Sequence, residues 1–306
     1  MTITGKVEDM ANRSSASATI GLVQMRCTDS REENLHRALQ GIAEAAEKGA
    51  QIVCLPELFG SLYFCQKQDP ALFDLAEPIP GQSSELLAQA AKKHEVVLIS
   101  SLFEKRAPGL YHNTALVHGP DGGLLGMYRK MHIPDDPLFY EKYYFTPGDL
   151  GFKAIDTPFG KIGVLVCWDQ WYPEAARLTA LQGAQILFYP TAIGWHPAER
   201  NQFGNDQLTA WQLAQRAHAL ASGVYVAGVN RFGHEGDPKA GLIFWGHSFV
   251  SDPYARLIAD APHDRDACII QQCDFGLIEE TRRNWPFLRD RRIDAYGGIT
   301  NRFGKP

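Results

Sequence analysis

Residues 161–177 read KIGVLVCWDQWYPEAAR, and this run decides how the chain is organised. Ile162 to Val166 is a short apolar stretch rich in β-branched residues, the pattern of a buried strand. Pro173, followed by Glu174, Ala175 and Ala176, carries helix-start signals: proline at a first helical position and an acid in the first turn. Cys167 lies between the two, with Trp168, Asp169 and Gln170 making the turn. A thiol where a strand stops and a helix begins is expected to be exposed at the sheet's edge, near a positive helix end. That setting favours the thiolate. Free cysteine is also commonly a small buried hydrophobe, and this stretch alone leaves both readings open.

Outward from that run, strands are expected at 19–27, 51–55, 96–103, 113–118, 124–133, 152–156, 185–190, 224–231, 244–252 and 267–274. Helices are expected at 31–48, 83–94, 206–222 and 275–283. Residues 1–18 are polar, Ser-rich and aperiodic, and read as a tail; residues 19–306 read as one domain. No linker, internal low-complexity block or fixed-period repeat divides it. Strands alternating with helices, interrupted by antiparallel pairs, point to an α/β domain, and the strands are numerous enough for two facing sheets.

The composition is that of a soluble globular chain, 45% hydrophobic and 21% charged. A net charge of -5 gives no electrostatic reason to expect nucleic acid. No run approaches the roughly 20 apolar residues of a membrane span, and the N-terminus lacks a secretory layout. The six cysteines show no paired spacing and no C-x-x-C motif, which fits reduced thiols in a cytoplasmic enzyme. No ligand set suggests a metal, and no cofactor is expected.

Charged candidates for chemistry sit at other strand ends. Glu57 follows the strand at 51–55 through Pro56, which stops the ladder and turns the carboxylate outward. Lys130, in Tyr128-Arg129-Lys130-Met131-His132, precedes the strand-terminating Pro134. Glu141 lies among aromatics in Tyr140-Glu141-Lys142-Tyr143-Tyr144-Phe145. Each read singly is as well explained by a solvated surface position. His132 and His112 show no acid partner at a diagnostic spacing and read as structural.

Together these motifs resemble those of the nitrilase superfamily of carbon–nitrogen hydrolases. Pro56-Glu57-Leu58, Tyr128-Arg129-Lys130-Met131-His132 and Cys167-Trp168-Asp169 stand in that family's order, and the likeness runs from about Thr19 to Tyr296. It implies a four-layer α-β-β-α sandwich, a catalytic Glu57, Lys130 and Cys167, and a second glutamate at Glu141. The run from Cys167 to Arg177 is similar to that of the N-carbamoylputrescine amidohydrolases within the superfamily. So are His132 to Asp135, Glu141 to Phe145, Phe188 to Gly194, and Phe287 to Arg292. Asp136 in place of glycine, Met131 in place of serine, and Trp195-His196-Pro197 depart from the pattern near the expected pocket mouth.

The resemblance implies a sequence of steps. Glu57 takes the thiol proton, Cys167 attacks a ureido carbonyl, and Lys130 with the Trp168 backbone N–H meets the developing oxyanion. Glu141 orients Lys130 or the water. A putrescine ammonium needs a countercharge, for which Asp135 is the first candidate and Asp169 the second. Tyr63, Trp168 and Trp195 are candidate walls. Turn capping and core packing explain these residues as well. A carboxylate-bearing carbamoyl substrate, such as N-carbamoyl-β-alanine, and acyl transfer to an amine through the same thioester are the competing expectations. Relatives commonly assemble as dimers or larger, so a homo-oligomer acting on a small molecule is expected, with no nucleic acid or membrane partner.

Overall fold

The computed structural model describes residues 16–304. Strands β1 to β8 span Ser17–Gln24, Ile52–Cys54, Val97–Ala107, Leu110–His118, Leu124–Arg129, Ala154–Thr157, Gly160–Val164 and Ile186–Thr191. Strands β9 to β15 span Gly194–Trp195, Tyr225–Asn230, Phe232–Glu235, Leu242–Trp245, Phe249–Ser251, Leu257–Asp260 and Ala267–Asp274. Helices α1 to α6 span Arg31–Glu47, Gln82–His94, Glu141–Tyr144, Pro173–Leu181, Pro197–Ser222 and Gly276–Asn284.

Two six-stranded sheets carry the fold, in the orders β15-β1-β2-β3-β4-β5 and β14-β13-β10-β8-β7-β6, with a three-stranded sheet β11-β12-β9 beside them. Period-two alternation sorts the first sheet's side chains between two cores. Ala18, Ile20, Leu22, Ile52, Cys54, Val97, Ile99, Ala115 and Val117 face the second sheet, meeting Ile162, Val164 and Phe188. Val53, Leu98 and Leu116 point the other way, onto Leu35, Ala38, Ile42 and Ala45 of α1 and Leu87, Ala90 and Ala91 of α2. The 3–4 spacing of those helical residues makes one apolar stripe, and the Ser30 side chain caps α1 by accepting from the Glu33 N–H. Helices α4 and α5 cover the second sheet through Ala175, Ala176, Ala180 and Ala219. The result is the α-β-β-α sandwich.

Several boundaries differ from the sequence reading. Of the expected tail, residues 1–15 lie outside the described residues, while Ser17 and Ala18 already pair with Asp274 and Cys273. The expected strand at 244–252 is two strands in different sheets. Gly246 and His247 both take positive φ, at 61° and 52°, and turn the chain between them. A Cβ on Gly246 would lie 2.9 Å from the His263 carbonyl oxygen, so that corner needs glycine. Helix α5 begins at Pro197, nine residues before the expected start at residue 206, because His196 caps it and Pro197 fills its first turn. Among the described residues no helix is long and apolar enough to cross a membrane.

Candidate active site

The four candidate catalytic side chains arrive on different elements. Glu57 follows β2, Lys130 follows β5, Glu141 opens α3, and Cys167 follows β7. Parallel pairing of β1, β2 and β3, and of β7, β8 and β10, sends their loops out at one end of each sheet.

Lys130 is the hub. Its Nζ donates to Glu57 Oε1 at 2.8 Å and to Glu141 Oε2 at 2.6 Å, with all three side chains fully out of solvent. Burial opposes the ammonium, but the Glu141 and Glu57 carboxylates outweigh it and hold Lys130 well above the ordinary lysine range. Burial raises the Glu141 carboxyl, as does the Glu57 charge, against the pull of Lys130 and the Tyr63 hydroxyl. Glu57 is therefore not turned outward. Its Oε1 also accepts from Asn113 Nδ2 at 2.6 Å, and its Oε2 is buried without a hydrogen-bond partner among the described residues.

Cys167 is 3% exposed, not displayed at the surface. Burial holds its thiol well above the ordinary value, Glu57 adds to that, and Lys130 opposes it. Of the two open readings the structure gives the buried one, and the expectation that the turn position exposes the thiol and favours the thiolate is corrected: burial favours the protonated form. Its backbone sits at φ 42°, a left-handed conformation that non-glycine residues adopt only where the surroundings hold them. A turn of 3-10 helix over Cys167–Trp171 follows, and Pro173 then starts α4.

A cavity of about 410 Å³ opens over the thiol, lined by Cys167, Glu141, Trp168, Trp171, Trp245, Asp136 and Glu199 among others. The candidate substrate residues divide on this geometry. Trp168 lines the cavity. Asp135 does not; the neighbouring Asp136, the departure from glycine, does. Asp169 is fully buried and spends both oxygens on Tyr128, His132 and Val166, so it offers no free countercharge. Tyr63 lies behind the site, donating its hydroxyl to Glu141 Oε1 at 2.6 Å. Trp195 packs edge-on against Trp245 and donates Nε1 to the Gly204 carbonyl, which secures the start of α5. His132 does have an acid partner: Nδ1 lies 2.7 Å from Asp169 Oδ1.

Residues missed in the sequence brace this frame. The Arg231 guanidinium donates to the carbonyls of Glu57, Leu58 and Ser61 and to Glu235, which in turn accepts from the Tyr63 N–H. Asn230 exchanges hydrogen bonds with the main chain of Ile193 at the cavity wall. The one available signal was the polar pair Asn230-Arg231 closing an apolar strand, the same cue that marked Glu57. Among the described residues no group of three His, Cys, Asp or Glu side chains is disposed to hold a metal ion.

A thiol lining the cavity, with a carboxylate that has an unpartnered oxygen and a fixed ammonium buried behind it, can add sulfur to a carbonyl and stabilise the resulting oxyanion. A family model for carbon-nitrogen hydrolases matches residues 19–283. The chain is 41% identical over 282 residues to an N-carbamoylputrescine amidase of Solanum lycopersicum, covering 91% of this chain and 93% of that one. It is 39% identical to a citrullinase of Francisella tularensis, covering 94% of this chain and 100% of that one. The crystal structure of a carbon-nitrogen hydrolase from Helicobacter pylori G27 superposes with a TM-score of 0.91 at 46% identity, covering 94% of this chain and 100% of that one. The chain belongs to the carbon-nitrogen hydrolase family of the nitrilase superfamily, as an enzyme that hydrolyses amide carbon–nitrogen bonds.

Proposed function

We propose that this amidase hydrolyses N-carbamoylputrescine to putrescine, ammonia and carbon dioxide, a step of polyamine synthesis from agmatine. The observation that carries the reading is the charge of the cavity. Asp136 and Glu199 line it, and among the described residues no lysine or arginine does. A substrate ending in an ammonium finds countercharges there, among the indole faces of Trp168, Trp171 and Trp245. A substrate ending in a carboxylate meets repulsion. The tomato relative's name supports the same substrate.

In this reading Glu57 Oε2 takes the proton from Cys167 as sulfur attacks the ureido carbonyl. Lys130 and the Trp168 N–H face the oxyanion, and Glu57 returns the proton to the departing ammonia. Water, activated by Glu57 and steered by Glu141, then cleaves the carbamoyl thioester. The released carbamate loses carbon dioxide and leaves the amine.

Ammonia release compared across N-carbamoylputrescine, citrulline and N-carbamoyl-β-alanine tests the substrate. N-Carbamoylputrescine is expected to have the highest kcat/KM and the carboxylate-only compound the lowest; a reversed order refutes the reading. Glu199→Gln and Asp136→Asn are each expected to raise KM a few-fold, about 0.5–1 kcal/mol, because both carboxylates are exposed.

A further inference from the structure

The nucleophile and the charged trio come from opposite sheets. Glu57 and Lys130 leave β2 and β5 of the first sheet, while Cys167 leaves β7 of the second. Hydrogen bonds join Lys130 to both glutamates, but the one involving the sulfur runs to the Ala192 carbonyl at 3.8 Å, on its own side. Something else must hold the thiol in register with the ammonium.

Asp169 spans that gap. Its Oδ2 accepts from the Val166 N–H at 2.9 Å and from the Tyr128 hydroxyl at 2.8 Å. Its Oδ1 accepts from the His132 N–H at 3.0 Å and lies 2.7 Å from His132 Nδ1. Val166 and Asp169 bracket Cys167, and Tyr128 and His132 bracket Lys130, so one carboxylate ties both sides of each catalytic residue. The His132 ring also stacks on Tyr172, with centroids 3.7 Å apart, adding a second link between the same two segments.

We propose that Asp169 is a positioning residue that fixes the distance between the Cys167 sulfur and the Lys130 ammonium across the two sheets. It rests on Cys167 being the nucleophile, and not on which amide is the substrate. In Asp169→Asn an amide N–H must face at least one of these donors, so the two segments separate. A displacement near 1 Å at a reacting group costs about 100-fold in rate. Lys130 and its two glutamates recede from the sulfur together, and because Glu57 raises the thiol more than Lys130 lowers it, the thiol ionises at lower pH.

The test alkylates the parent and Asp169→Asn with iodoacetamide across pH, following the Cys167 peptide by mass. It also measures kcat per titrated thiol on any amide the parent turns over. The expected result is a fall in kcat of about 100-fold with a smaller change in KM, and an alkylation profile displaced to lower pH. A merely structural contact lowers the number of competent sites without moving that profile. Parent-like kcat per site and an unmoved profile overturn the proposal. Should Asp169→Asn not fold, Tyr128→Phe and His132→Ala each remove one link and are expected to displace the profile in the same direction, by less. Unmoved profiles in both overturn it. Because alkylation needs no substrate, failure of the N-carbamoylputrescine assignment leaves this result standing, whereas a Cys167→Ala variant that keeps turnover removes its basis.

Discussion

Arg231→Met isolates how the Glu57 segment is held. The guanidinium is fully buried, and donates to the Glu57 and Leu58 carbonyls at 2.6 and 2.9 Å and to Ser61 O and the Glu235 carboxylate at 3.1 Å. Methionine fills much of that volume and removes every donor. Stranding one member of a buried ion pair costs about 3–5 kcal/mol. Three carbonyls also lose their partner, so the upper end, about 5 kcal/mol, is expected. The pH dependence carries the diagnosis. Burial pushes the Glu235 carboxyl up while Arg231 holds it down, so without Arg231 it rises further above its unfolded value. A carboxyl raised in the folded state supports folding most below its unfolded pKa, and that support is lost as pH rises through the folded one. The deficit of Arg231→Met therefore widens from about pH 5 to about pH 8. Arg231→Met with Glu235→Gln removes the stranded charge while keeping an oxygen for the Tyr63 N–H. It should recover about 1–2 kcal/mol and flatten the pH dependence. Urea unfolding of parent, single and double variants at both pH values measures this. A deficit equal at both, or a double variant no more stable than the single, refutes the reasoning.

Tyr63→Phe removes the hydroxyl that holds the Glu141 carboxyl down, so the acidic limb of the kcat profile should move to higher pH; an unmoved limb counts against Glu141 having to be ionised. Gly148 donates its N–H to the Lys130 carbonyl at 2.8 Å, and a methyl group on it would overlap the Arg129 carbonyl. Gly148→Ala should cost about 1–3 kcal/mol in thermal or urea unfolding, and lower kcat, by displacing the lysine. Leu178, Leu181, Leu213, Ile293 and Ile299 are all exposed, so light scattering should give a mass above that of one chain. A monomer at micromolar concentration would be the contrary result.

The sandwich was legible because its pattern is local. Alternation in β1 to β4, the Ser30 cap and the apolar stripe of α1 each announce one element. The break at Gly246 was not, because residues 244–252 stay apolar on both sides of a corner imposed by His263 from elsewhere in the chain. In the site, Glu57, Lys130 and Cys167 were singled out by position at strand ends together with the motif order. Their surroundings were not: outward and exposed were expected, whereas both Glu57 and Cys167 are buried by elements distant in sequence. Asp169 was a second candidate countercharge, with turn capping an equal reading, because its ties to Tyr128 and His132 are visible only in three dimensions. Arg231 reaches Glu57 across 174 residues, a link that no local pattern encodes.

The most direct measurement is ammonia release by parent and Cys167→Ala on whichever amide the parent hydrolyses, with the fold of both checked by unfolding. With the thiol as nucleophile at the floor of the charged cavity, the alanine variant folds normally and releases no ammonia above background. Turnover near the parent rate from folded Cys167→Ala would contradict the assignment on which the chemistry depends.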